Sequence, residues 1–256
     1  MNYKKIITAI LLTTAGIIGL FVVQNCFQKS ITQQITSSCQ LLKLVNEQEI
    51  NAWKAMETLG ITKEECYKKV SEWEKEYQQS HPRVSVDKNL SKSIVQLIKE
   101  LLVTYGVNPA KVTLERYDNG LSAAGATNDT ICVNQQKFNS LPADAQRFVI
   151  AHEIQHIIYK DAIVKEVLKD HLKIKSTHTN VIDSPLNQLS RFFEIRADVM
   201  ASLKNPAIAD GYVKRAHLWL TENGYNPGTS HPKHEERLAL AQQITQVHQQ
   251  SAPTVA

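Results

Sequence analysis

The chain has 256 residues, 43% hydrophobic and 21% charged, enough to bury the core of one main domain with appendages. Its net charge of +4 comes without a Lys/Arg cluster, an aromatic-interleaved basic stripe or a nucleic-acid motif, which argues against a nucleic-acid partner. No solenoid-length period recurs, and four cysteines with no C-x-x-C pair exclude a zinc ribbon or a dense disulfide framework.

Residues 1–25 read as a membrane anchor or signal segment. Lys4 and Lys5 precede a charge-free run from Ile6 to Val23, whose 18 residues are at the short end of a membrane-spanning helix. The positive-inside bias keeps those lysines cytoplasmic and sends the rest of the chain across the membrane. The expected location is therefore exported: anchored in the inner membrane and facing the periplasm. A cleaved signal and a lipoprotein form stand as alternatives, the second because Cys26 closely follows the apolar run. No small-residue A-x-A site follows the run, and "VVQNC" lacks the small residues that usually precede a lipidated cysteine.

Residues 26–82 read as a helical spacer or docking region. Leu41, Leu42, Leu44, Val45, Trp53, Met56 and Leu59 recur at helical spacing within a run from about Thr32 that Gly60 ends. Thr62 with Glu65 then forms a capping box that opens a second helix to about Gln78. A Cys39–Cys66 disulfide is left open for an oxidising compartment. "SHPRVSVD" breaks the helical pattern, so the main domain is placed at 83–250, with 251–256 as a tail.

Within the main domain, "KNLSKSIVQLIKELLVTYG" predicts a helix ending at Gly106. "KVTLERYDN" and "TICVN" predict two strands joined by the small-residue stretch "GLSAAGATND", with Cys132 a buried small hydrophobe in the second. "PADAQRFVIAHEIQHIIYK" predicts a helix with Pro142 in its first turn and an apolar flank of Phe148, Val149, Ile150, Ile157 and Ile158. Further helices are expected over "DAIVKEVLKDHL", "LNQLSRFFEIRADVMASL", "IADGYVKRAHLWLTEN" and "HPKHEERLALAQQITQVHQQ". The fold class is α+β, predominantly helical, with a small β-sheet.

The chemistry concentrates in "HEIQH". Residues four apart on a helix share a face, so His152 and His156 can aim both imidazoles at one ion. Zinc suits nitrogen ligands, and a catalytic site takes three protein ligands plus a water. Glu153 follows the first histidine and can reach that water as general base, the HExxH arrangement. A chain of this make-up carries such a match by accident on the order of once in fifty, so a third ligand has to decide. Glu194 lies 38 residues after His156 in "FFEIRAD", with Asp198 four further on and on the same helical face. Glu194 can complete the shell while Asp198 accepts from the free ring nitrogen of a ligating histidine. The competing reading is a solvated helix face on which Arg191 or Arg196 pairs with Glu194.

"HEIQH", then "EIRAD", then "SHPKHEERL" together resemble the zinc endopeptidases that include the HtpX-like heat-shock proteases and the CAAX prenyl proteases, gluzincins whose third ligand is a Glu in an ExxxD helix. The similarity covers about residues 85 to 245 and is closest to exported, single-domain bacterial members. It implies a zincin-like metallopeptidase domain, one zinc ion held by His152, His156 and Glu194, and Glu153 as the base that hydrolyses peptide bonds. A role in envelope protein quality control is implied with it. No further apolar segment of about twenty residues is present, so the multi-span chamber of the prenyl-protease branch is not expected, nor are prenylated peptides as substrates.

The expected partner is a polypeptide bound as an extended strand near residues 122 to 134, although a plain glycine-containing hairpin accounts for the same residues. His231, Tyr225 and Arg237 are the oxyanion or regulatory candidates. His231 could also close the open zinc position, or serve only as a helix-entry residue before Pro232. The alternative function is a non-catalytic binding or chaperone-like module that keeps zinc for structure. An exported toxin protease would share the chemistry. The sequence is silent on oligomeric state.

Overall fold

A helix with apolar residues on more than one face packs against several neighbours at once. The computed structural model describes residues 38–80, 87–118, 122–173, 184–221 and 231–249, and in it one such helix, Ala143–Tyr159, is central. Ala145 and every residue from Phe148 to Gln155 are buried on it, His152 and Glu153 included. Numbered in chain order, the helices are α1 (residues 38–57), α2 (Lys63–Ser80), α3 (Lys92–Thr104), α4 (Gln135–Asn139) and the central α5. They continue as α6 (Asp161–His171), α7 (Pro185–Leu203), α8 (Pro206–Thr221) and α9 (His234–Gln249). The strands are β1 (Asp87–Lys88), β2 (Thr113–Arg116), β3 (Ala124–Ala126) and β4 (Thr130–Val133). The class is α+β and predominantly helical, with a small sheet.

α3, α7, α8 and β3 all pack on α5. The approach of α8 is unusually close. A Cβ on Gly211 would lie 2.0 Å from the carbonyl oxygen of Asp144, so only glycine lets α8 cross the first turn of α5. At the other end, Lys160 adopts a left-handed backbone (φ 60, ψ 33) that stops α5 and starts α6 without a linker. Ser184 caps α7, its hydroxyl accepting from the Asn187 N–H, and Pro185 fills the first helical position.

The sheet departs from expectation. β2 and β4 run parallel, with Thr113 opposite Thr130 and Arg116 opposite Val133, so no hairpin can join them. The joining stretch contains β3, which pairs antiparallel to β4 and is the edge strand in the order β1-β2-β4-β3. Ala-Gly-Ala carries no alternating pattern and little strand propensity, so its own residues do not announce a strand.

The capping box forms as read: the Glu65 N–H donates to Thr62 Oγ1 and the Thr62 N–H to Glu65 Oε2. Gly60 takes a φ of 81 in the turn before it. Trp53, Met56, Ile61 and Val70 of this region belong to the same buried cluster as α5 and α7, and Lys160 pairs with Glu74 of α2. Cys39, exposed, and Cys66, buried, are free thiols, while Cys132 is only half-buried. Ile158 is exposed, so the apolar flank of α5 is Phe148, Val149 and Ile150 with partly buried Ile157. The segment 1–25 with its apolar run, Cys26, the boundary near residue 83, Tyr225 and the tail lie outside the described residues. Among the described residues, no helix is long and apolar enough to cross a membrane.

Candidate metal centre

α5 stacks His152 and His156 one turn apart, and α7 lays Glu194 against both. The two Nε2 atoms are 3.0 Å apart. Glu194 Oε2 is 3.3 Å from His152 Nε2, and its Oε1 is 3.6 Å from His156 Nε2. Ligands about 2.0–2.1 Å from a tetrahedral ion stand about 3.3 Å from one another, so the three donors are spaced as a metal shell requires. They form the grouping among the described residues that can hold a metal ion. Glu194 is 6% exposed, which removes the solvated-face reading. Arg196 does not pair with it either, for its guanidinium points to Asp161.

Each histidine has a carboxylate at its other ring nitrogen. His152 Nδ1 lies 2.8 Å from Asp198 Oδ1, a close ion-pair contact without the in-line geometry of a hydrogen bond. Asp198 is fully buried and accepts from Tyr212 Oη at 2.6 Å, Arg237 Nε at 2.8 Å and Arg237 Nη2 at 2.6 Å. His156 Nδ1 lies 2.8 Å from Asp161 Oδ2, and Arg196 Nη2 donates to the other Asp161 oxygen. With both Nδ1 atoms facing carboxylates, both Nε2 atoms are left for the shared point beside Glu194.

The charges depend on one another. Burial alone would lower the His152 pKa, but Asp198 and Glu194 more than reverse that and push it up to about 10. Burial works against ionised Glu194 too, yet the imidazoles of His231, His156 and His152 hold its pKa well below the usual carboxylate range. Asp198 is likewise lowered against its burial, chiefly by Arg237. Burial and the Asp198 charge raise the Tyr212 phenol well above its ordinary value, so it stays a donor. Such a cluster is costly to bury unless its charges compensate, and here an anion meets each cation.

The donors open onto a cleft of about 590 Å³ lined by residues 122–126 on one side and by Lys165 and Lys169 of α6 on another. Glu153 sits in this cleft, 8% exposed, and among the described residues no hydrogen bond or ion pair occupies its carboxylate. Helix α5 also packs on β4, where burial first, then the charges of Glu115 and Glu153, raise the Cys132 thiol. The Asn134 N–H donates to the Ala123 carbonyl and the Thr127 N–H to Thr130, which sets the alternation of the β3–β4 ladder. Ala124 and Ala126 therefore turn their N–H and C=O groups to the unpaired edge.

His231 Nε2 is 3.6 Å from Glu194 Oε1 at the cleft, outside the three-donor group, and Glu194, burial and nearby cations leave its pKa lowered in sum. Arg237 lines the cleft, but two of its nitrogens are held by Asp198 and Nη1 is 3.9 Å from Glu194 Oε2. Asp161 and Tyr212 are not legible from spacing, and Arg196 enters the sequence argument only in the competing reading, as a partner for Glu194. Asp161, five residues after His156, reaches back only because of the left-handed Lys160, and nothing local announces that turn. Tyr212 had one legible cue, Gly211 beside it, which marks a close helix approach.

No family model matches the chain, and no curated protein or solved structure matches it.

Proposed function

We propose that the chain is a zinc-dependent endopeptidase with a zincin-like catalytic domain of the gluzincin kind, exported by its N-terminal segment and facing the periplasm. The observation that carries this is the donor shell: two imidazole nitrogens and a carboxylate at 3.0, 3.3 and 3.6 Å, open to a cleft on the side where Glu153 lies. Two nitrogens and one oxygen are a donor set that zinc favours. Three protein donors beside an open cleft suit catalysis, whereas a structural zinc site closes its fourth position with protein.

Zinc bound to His152, His156 and Glu194 supplies Lewis acidity, which polarises a carbonyl and acidifies water. The chain's own residues supply the rest. Glu153, which lines the cleft with no partner among the described residues, accepts the proton of the attacking water on a carboxylate oxygen and passes it to the leaving amine. The outward N–H and C=O groups of Ala124 and Ala126 bind the substrate backbone as an added antiparallel strand, and their methyls leave room for it. Asp198 and Asp161 hold the two imidazoles in orientation. Arg237, committed to Asp198, acts through that carboxylate. His231, half-buried at the cleft, is the described side chain better placed to meet developing charge on the carbonyl oxygen.

Purified full-length protein should contain about one equivalent of zinc and degrade casein. A chelator should abolish degradation, and added zinc should restore it. Stoichiometric zinc with no hydrolysis of casein or of a mixed peptide library would instead establish a non-catalytic zinc module.

A further inference from the structure

The site contains a buried cation that the hydrolytic reading does not use. Arg196 of α7 is 5% exposed, with its guanidinium 4.0 Å from the Tyr159 ring centroid and 4.9 and 5.0 Å from those of Phe192 and Phe193. Its Nη2 donates to Asp161 Oδ1, and Asp161, itself 2% exposed, sets Oδ2 2.8 Å from His156 Nδ1. We propose that Arg196 is a positioning residue for the metal centre: by pinning Asp161 it fixes which nitrogen of His156 faces the ion. The proposal rests on the zinc reading above.

A carboxylate on a helix N-terminus can rotate about its last torsion and can turn to the helix amides instead of to a neighbour. Asp161 opens α6, where that alternative is at hand. A guanidinium gripped among three rings cannot follow such a rotation, so it holds one oxygen and leaves the other to His156. The imidazole then presents Nδ1 to Asp161 and keeps Nε2, the atom 3.0 Å from His152 Nε2, for the shared ligand. Packing alone does not call for a charge here. Methionine or leucine would fill the aromatic cage without the desolvation cost of a guanidinium; the Tyr67 hydroxyl that it also meets is neutral, so Asp161 is the anion the charge answers to.

The test is a double-mutant cycle on the full chain with Arg196→Met, Asp161→Asn and both together, read as zinc affinity by competition with a chromophoric chelator. The visible absorption of the cobalt-loaded proteins is the second readout. Each single variant should bind zinc about 10- to 100-fold more weakly and shift the cobalt bands. The double variant should bind no more weakly than Asp161→Asn alone, because both changes break one chain of contacts. Additive losses, or an Arg196→Met variant with wild-type affinity and spectrum, would overturn the proposal while leaving the metal centre standing. If Arg196→Met does not fold, Arg196→Lys takes its place in the cycle, since a lysine cannot make the planar fork that pins Asp161. Wild-type zinc binding that His156→Ala leaves unchanged would overturn the metal reading, and this proposal with it.

Discussion

His152 and His156 sit one turn apart on the same helix, yet the structure secures them differently. Behind His152, Asp198 collects donors from α8 and α9, so this half ties three helices to α5. Behind His156, Asp161 is local to the α5–α6 turn and takes one cation, Arg196, which α7 lays among aromatic rings. One half of the site is therefore also a fastening of the fold, while the other is mainly an orienting device. Two imidazoles that look equivalent at their Nε2 atoms are held unequally behind them.

That inequality can be broken experimentally. Asp198→Asn leaves Arg237 buried without its main counter-charge and should cost about 3–5 kcal/mol of stability, read from denaturant unfolding of the metal-free protein. Asp161→Asn should cost less, about 1–3 kcal/mol, because Arg196 keeps its three ring faces. Equal losses, or the reverse order, would contradict the comparison.

A gentler probe is pH. The folded pKa of His152 is raised to about 10 from an ordinary value of 6.5, so its stabilising contribution is complete below 6.5 and is lost as pH climbs through about 10. Glu194 and Asp198 have lowered pKa values, so their contributions are present above the ordinary carboxylate range and are lost only as pH falls through those lowered values. The metal-free protein should therefore lose thermal stability from pH 6.5 towards 10. Zinc must displace the His152 proton, so its affinity should rise over that same interval, by about tenfold per pH unit. Parallel rather than opposed slopes would show that Asp198 and Glu194 do not hold the proton on His152.

Spacing made one part of this site legible and hid another. His152, Glu153 and His156 read directly from helical geometry, as did Glu194 with Asp198, because i, i+4 relations survive into the fold unchanged. Asp161 and Arg196 did not, since the contact between them depends on the backbone of Lys160 and on how α7 crosses α5. Neither is a periodicity. The helices were readable from their apolar spacing and caps, whereas β3 was not: an edge strand of alanine and glycine is made by its partner β4, not by its own residues. Arg237 is a sequence candidate with an open role, and its carboxylate partner depends on how α9 packs beside α7, which no local spacing announces.

In the proposed mechanism Glu153 moves a proton and does not hold the metal. The most direct measurement is zinc content together with casein hydrolysis by Glu153→Gln in the full-length protein. Wild-type zinc stoichiometry is expected, with hydrolysis reduced by at least about 10²-fold. Hydrolysis at the wild-type rate, or loss of zinc from the variant, would contradict that mechanism.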